Sequence, residues 1–199
     1  MNALATDLLA AWFGTDDTAL AAVAPRWWRR DPAFDASLRE RFEPSIGLAA
    51  AGAFLDWETT AEGALALVIL LDQIPRNVYR DSPRAFAQDA AAICVARRAL
   101  ARGFDRALIV VPKRSFLLMP LLHAEDPEVQ AESLARQEAL AVLARGGEWE
   151  GLAATGLDFA LQHAAIVRRF GRYPHRNEVL GRASTAEERA FLTQPGSRF

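Results

Sequence analysis

Cysteine is almost missing from this 199-residue chain: Cys94 stands alone. A disulfide framework and a zinc site built on several thiolates are both excluded. Lysine is equally scarce, with Lys113 set against 22 arginines. The arginines are offset by acids, so the net charge is −2 and the isoelectric point lies near 6.0. A general nucleic-acid binder is normally basic, so no nucleic-acid partner is expected. Long apolar runs are absent as well. The longest, Ala64 to Leu71, has eight residues, against the roughly 20 needed to cross a bilayer. The opening MNALATDLLAAWFG has no basic leader and carries Asp7 inside its apolar stretch, which is not a secretory signal. β-branched residues are sparse and nowhere alternate with polar ones over a strand's length. No GxSxG, GxGxxG or GxxxxGK[ST] frame occurs, and Ser115 sits in none of them. Serine-hydrolase, Rossmann and P-loop chemistries lose their usual signals. The expectation is a soluble, cytoplasmic protein with no membrane partner, no cofactor and no metal.

Alanine is what the chain has most of, at 40 positions. Alanine is the best helix former, so the bias points to helix throughout. The boundaries are readable from caps and breakers. An amphipathic helix spans 3–13, and a short segment ends at Pro25. Asp31-Pro32 reads as a cap and first helical residue, launching a helix to about Phe42, with a new segment from Pro44. Thr60 caps 61–72, which is apolar all round and therefore the buried centre of the fold, and Pro75 stops it. Ser82-Pro83 opens a helix to Arg102. Further helices are expected at about 114–122, 127–145, 152–170 and, capped by Ser184, 185–193. The fold class is all-α: one domain over 1–199, of eight or nine antiparallel helices around 61–72.

Three polar stretches do not fit the solvated faces of such a bundle. They are DQIPRNVYR (72–80), HAED (123–126), and a third running from His163 through RRFGRYPHRN (168–177) to Arg182. All three histidines lie in the last two. Five arginines fall between Arg168 and Arg182 with one acid, whereas 123–150 holds seven acids and two arginines. The near-neutral total hides a basic patch and an acidic helix.

The run LALVILLDQIPRNVYR, then HAEDPEVQ, then HAAIVRRFGRYPHRNEVLGRASTAEE, then PGSRF, resembles the bacterial family called domain of unknown function 924 over nearly the whole chain. Ile74, Ala124 and Tyr173 depart mildly from its usual residues, none at an ionisable position. The resemblance implies a tetratricopeptide-like helical fold and carries no reaction.

The candidate site is read from the residues themselves. Asp72 and Arg76 either tie down the turn after a buried helix or orient a ligand-binding group. His123 and Glu125 could supply an acid–base pair, or two ligands of a metal completed by His163 or His175; alternatively Glu125 favours the start of the next helix. His163 faces mostly apolar neighbours and reads most simply as a core residue with one hydrogen bond. Gly171 and Pro174 make a rigid turn on which Tyr173 packs while Arg172, His175 and Arg176 point away. Forked guanidiniums suit carboxylate or phosphate oxygens, unless the acids of 123–150 neutralise them. Trp27 and Trp28 are read as packing. The sequence thus supports two classes. One is a binding module for an anionic small molecule or an acidic peptide, through Asp72, Arg76, His163, Arg172, Arg176 and Asn177. The other is a hydrolase of an anionic substrate, with His123, Glu125 or His175 as acid–base groups and the arginines as a clamp.

Overall fold

The computed structural model describes residues 2–197. Among them the architecture is all-α, with ten α-helices and no strand. They are α1 (Ala3–Phe13), α2 (Asp17–Val23), α3 (Pro32–Ala50), α4 (Ala61–Val78), α5 (Asp89–Ala101), α6 (Phe104–Ala107), α7 (Val111–Leu122), α8 (Pro127–Leu143), α9 (Glu150–Phe170) and α10 (Ala186–Phe191). Short 3-10 turns cover Ala24–Trp28, Leu55–Thr59, Pro83–Ala85 and Pro174–Arg176.

Side-chain caps set most of the starts. Asp31 accepts from the Ala33 and Phe34 N–H groups, Thr60 from Gly63, and Asp126 from Glu128 and Val129. Each satisfies donors that the first helical turn leaves over. The last helix is capped by Thr185 rather than Ser184, in a reciprocal box with Glu188.

Proline misleads in three places. Pro44 lies inside α3 and Pro75 inside α4, so neither stops its helix. A proline removes one N–H and frees the carbonyl four residues earlier, and tertiary packing outweighs that cost here. Pro75 is itself buried, and Tyr79 N–H closes on its carbonyl at 2.9 Å. Ser82-Pro83 opens only a single 3-10 turn, and α5 begins at Asp89. The chain from Tyr79 to Gln88 is therefore a connection instead of the first turns of a helix.

The core is built around α4. Every residue from Ala64 to Leu71 is at most 2% exposed, and α4 packs against α1, α3, α5 and α7. The burial continues through Asp72, Ile74 and Val78, past the expected end at 72. Trp12, Phe13, Trp27 and Phe116 meet edge to face in a second part of the same core. Trp27 Nε1 donates to the Trp12 carbonyl at 2.8 Å, while Trp28 stacks on Phe116 from the surface. Helices α8 and α9 pair with each other and against α7. That packing brings the α7–α8 turn and the chain after α9 up to the last turns of α4.

Candidate functional site

Asp72 lies on α4 one position beyond its apolar run and has no solvent exposure at all. A carboxylate there requires partners. It has three. His123 Nδ1 lies 2.8 Å from Oδ1, Arg76 Nη1 lies 3.1 Å from the same oxygen, and the Gln73 amide donates to Oδ2. Burial alone would raise the Asp72 carboxyl. The Arg76 charge and the side-chain hydrogen bonds from His123 and Gln73 overcome it and hold the group well below the usual carboxylate range. Asp72 is thus an anion, and His123 Nδ1 carries the proton between them.

His123 caps α7 at the three-residue turn before Asp126-Pro127 starts α8. Its side chain is largely buried. Burial, then the neighbouring Arg76 charge, lowers its pKa, against the pull of Asp72 and Asp89. The ring is therefore neutral near pH 7. With Nδ1–H committed to Asp72, the lone pair lies on Nε2, which among the described residues makes no hydrogen bond to the protein.

Arg76 turns its other nitrogen, Nη2, to Asp89 Oδ2 at 3.0 Å. Arg176 Nη1 reaches the same Asp89 oxygen from the last 3-10 turn at 3.4 Å. The Arg176 guanidinium lies 4.7 Å from the Phe86 ring centroid and 4.5 Å from that of Tyr173, so two aromatic faces enclose it. Two buried atoms in this group have no hydrogen-bond partner: Asp89 Oδ1 and Arg176 Nε. Burial raises the Asp89 carboxyl, and Asp72 adds to the shift against the two arginines. Burial and Arg76 together lower Arg176.

Beside this group lies a more tightly closed one. Glu125 takes both Arg182 nitrogens, Nη1 and Nη2, and accepts the Tyr173 N–H at 2.8 Å. Tyr173 is fully buried, and its hydroxyl donates to the Leu122 carbonyl at 2.7 Å while accepting from Gln130 Nε2 at 2.8 Å. Tyr173 therefore plugs the C-terminal end of α7 and fixes the turn that presents His123. Asn177 accepts from Arg182 and donates to Ser184 Oγ, which holds the chain after the turn.

The structure thus joins Asp72, Arg76, His123 and Arg176 in one bonded cluster. Glu125 does not contact a histidine through a hydrogen bond; it belongs to Arg182 and Tyr173, because Arg182 offers a fork that matches its two oxygens. Arg172 makes the same kind of fork to Glu188 and a bond to the Ala183 carbonyl, which fastens α10. Arg176 does not point away from Tyr173 but lies against it. His163 is buried, donates from Nδ1 to the Phe159 carbonyl at 2.8 Å, and stands 5.3 Å ring to ring from Tyr173. Burial and nearby His123 push it down to about 3. The His175 ring stands 5.6 Å from Tyr173 on the C-terminal side. Among the described residues no three His, Cys, Asp or Glu side chains gather as a metal site would need.

Asp89 and Phe86 were missed by sequence reasoning. A helix read as opening at Ser82-Pro83 places Asp89 in its interior, where it is one more charge on an alanine-rich helix. Its only signal is that the charged segment from Arg80 to Asp89 follows Asp72 and Arg76 closely in the chain.

The family profile described as bacterial protein of unknown function (DUF924) matches residues 8–196. Among solved structures, the chain is similar to the protein of unknown function ATU0120 from Agrobacterium tumefaciens, at 36% identity and a TM-score of 0.81. The match covers 96% of this chain and 97% of that one. No curated protein matches significantly. The order of motifs along the sequence, the all-helical fold and the profile match agree: the chain belongs to the bacterial family of unknown function DUF924.

Proposed function

We propose that the cluster is an acid–base site, with His123 as general base, and that the protein is a hydrolase of a small anionic substrate. The observation that carries this reading is the 2.8 Å contact between His123 Nδ1 and the fully buried Asp72 Oδ1. A buried carboxylate on one ring nitrogen fixes the tautomer, holds the ring still and stabilises the imidazolium that forms during reaction. In the proposed step, His123 Nε2 takes a proton from water. The water oxygen bonds to the substrate's electrophilic carbon or phosphorus as the leaving-group bond breaks. The leaving group then receives the proton back from Nε2. Arg76 and Arg176 stand where they would meet the substrate's negative charge.

A second reading, a binding module for an anionic small molecule or acidic peptide, draws support from the buried, unpartnered Arg176 Nε. It is weakened because Arg172 and Arg182 are each occupied by a glutamate fork. The bonded cluster between chain-distant segments supports treating 1–199 as one domain. We also propose tetratricopeptide-like packing of its helical pairs and a cytoplasmic location; among the described residues no helix is long and apolar enough to cross a membrane.

The test is turnover of a panel of carboxylic and phosphoric esters and amides by the purified protein, beside His123→Gln. General-base catalysis typically contributes 10²–10⁴-fold. Loss of about that size in His123→Gln, with the variant still folded, supports the reading. Equal turnover in both proteins, or none across the panel, contradicts it.

A further inference from the structure

We infer that Arg76 and Arg176 form a seat for a carboxylate of the substrate, and that Asp89 occupies this seat while no ligand is bound. The inference rests on reading the cluster as a ligand site, and it adds the ligand's chemical class and a residue that competes for it.

Asp89 fits the seat incompletely. Two guanidiniums from distant parts of the chain share one oxygen of one carboxylate. Arginine forks favour two oxygens, one per nitrogen, as in the Arg182–Glu125 pair of the same region. At Asp89 that preference is not met. Oδ2 takes both arginines at 3.0 and 3.4 Å, while Oδ1 is buried and bonded to nothing. Arg176 Nε, also buried, has no acceptor. A carboxylate not tethered to α5 could turn to bring its second oxygen towards that nitrogen.

Arg176 is one of the most buried charges in the protein, and Phe86 and Tyr173 cover its faces. Such a cation is costly unless an anion is held against it. The seat therefore needs an occupant at all times, and Asp89 supplies it. The groups facing Asp89 are Asp72 and Arg76 from α4, His123 from the α7–α8 turn and Arg176 from the last 3-10 turn. Asp72 is already committed to His123 and Arg76, so Asp89 is the carboxylate that can yield. It is also the first residue of α5, directly after the connection that carries Phe86. Burial, which raises its pKa, makes Asp89 an easier anion to displace than Asp72.

The experiment is rescue by a free carboxylate. Asp89→Ala empties the seat, leaving Arg176 without its anion and Arg76 with Asp72 alone, so its melting temperature falls. Acetate should restore several degrees more than chloride at equal ionic strength, because an anion that binds only the folded state raises its stability. Asp89→Asn fills the same space without charge and should gain much less from acetate. Asp89→Ala combined with Arg176→Gln should gain no more than from chloride. If Asp89→Ala is unfolded in both salts, Asp89→Ser carries the same comparison. Equal gains from acetate and chloride, or the same acetate gain in Asp89→Ala and Asp89→Asn, would overturn the seat. The result is separable from the acid–base reading. Rescue without turnover leaves a carboxylate-binding site; turnover lost in His123→Gln without rescue leaves the base and removes the seat.

Discussion

Arg182 and Arg76 each hold a carboxylate, yet they leave different remainders. Around Arg182 every charge is closed: both Glu125 oxygens are taken, the Tyr173 N–H is used, and Asn177 receives the Nε. Arg172 and Glu188 close in the same way. Around Arg76 the accounting does not close. Asp89 Oδ1 and Arg176 Nε are buried without partners, and His123 Nε2 keeps its lone pair. Both regions contain arginines and acids in similar proportion. The difference is in leftover hydrogen-bonding capacity among the charged groups, and it is the ground for proposing that the open ones meet a ligand.

The largest effect is expected for Asp72→Ala, which leaves Arg76 and His123 facing a buried gap. Removing one partner of a buried pair costs about 3–5 kcal/mol. Urea denaturation should show it, and a loss under about 1 kcal/mol would mean the open region is not buried as described. Leu70→Ala, two residues earlier on α4, should lose about 2–5 kcal/mol through lost burial and a cavity. It should leave the His123 chemistry untouched, which separates packing from charge within one helix.

Next comes pH. His163 is neutral in the fold, with a value of about 3 against 6.5 for an ordinary histidine, and His123 shifts the same way. The unfolded chain then binds more protons than the folded one as pH falls below about 6.5, so stability declines with acid by up to about 1.4 kcal/mol per pH unit for each such histidine. Asp72 has a lowered pKa, so its contribution is complete above the ordinary carboxylate range and disappears only in stronger acid. Thermal melts between pH 7 and 5 should show the slope, and His163→Gln should flatten it. A slope unchanged in that variant would contradict the buried neutral ring. The smallest effect belongs to the closed region. Arg172→Ala should lower the melting temperature less than Asp72→Ala does, and leave acylation of His123 by diethyl pyrocarbonate at its original rate. A changed rate would show that the two regions are coupled.

Much of the fold was legible because local signals and packing agree. Asp31, Thr60 and Asp126 cap the helices that their neighbours' patterns begin. The apolar run of α4 marks the centre of the core. Proline was read too strongly: Pro44 and Pro75 obey a local rule that burial overrides, and Ser82-Pro83 yields one turn instead of a helix. Of the site, Asp72, Arg76, His123 and Arg176 were visible as polar residues set against apolar helices. Asp72 and Arg76 were read together; which histidine joins them was not visible. Sequence offered Glu125 as the partner of His123 because it lies two residues away; the partner is Asp72, 51 positions earlier, which only the packing of α4 against α7 supplies. Arg172 and Asn177 shared the composition of a ligand grip, but forks and caps consume them.

The account depends most on the state of one ring. Nitrogen-15 NMR of the histidine side chains, with His123 assigned by comparison with His123→Gln, reads tautomer and titration together. The account predicts a His123 that carries its proton on Nδ1, is neutral at pH 7 and titrates below 6.5, and that loses this tautomer preference in Asp72→Asn. A His123 protonated on Nε2, or one charged at pH 7, would contradict it.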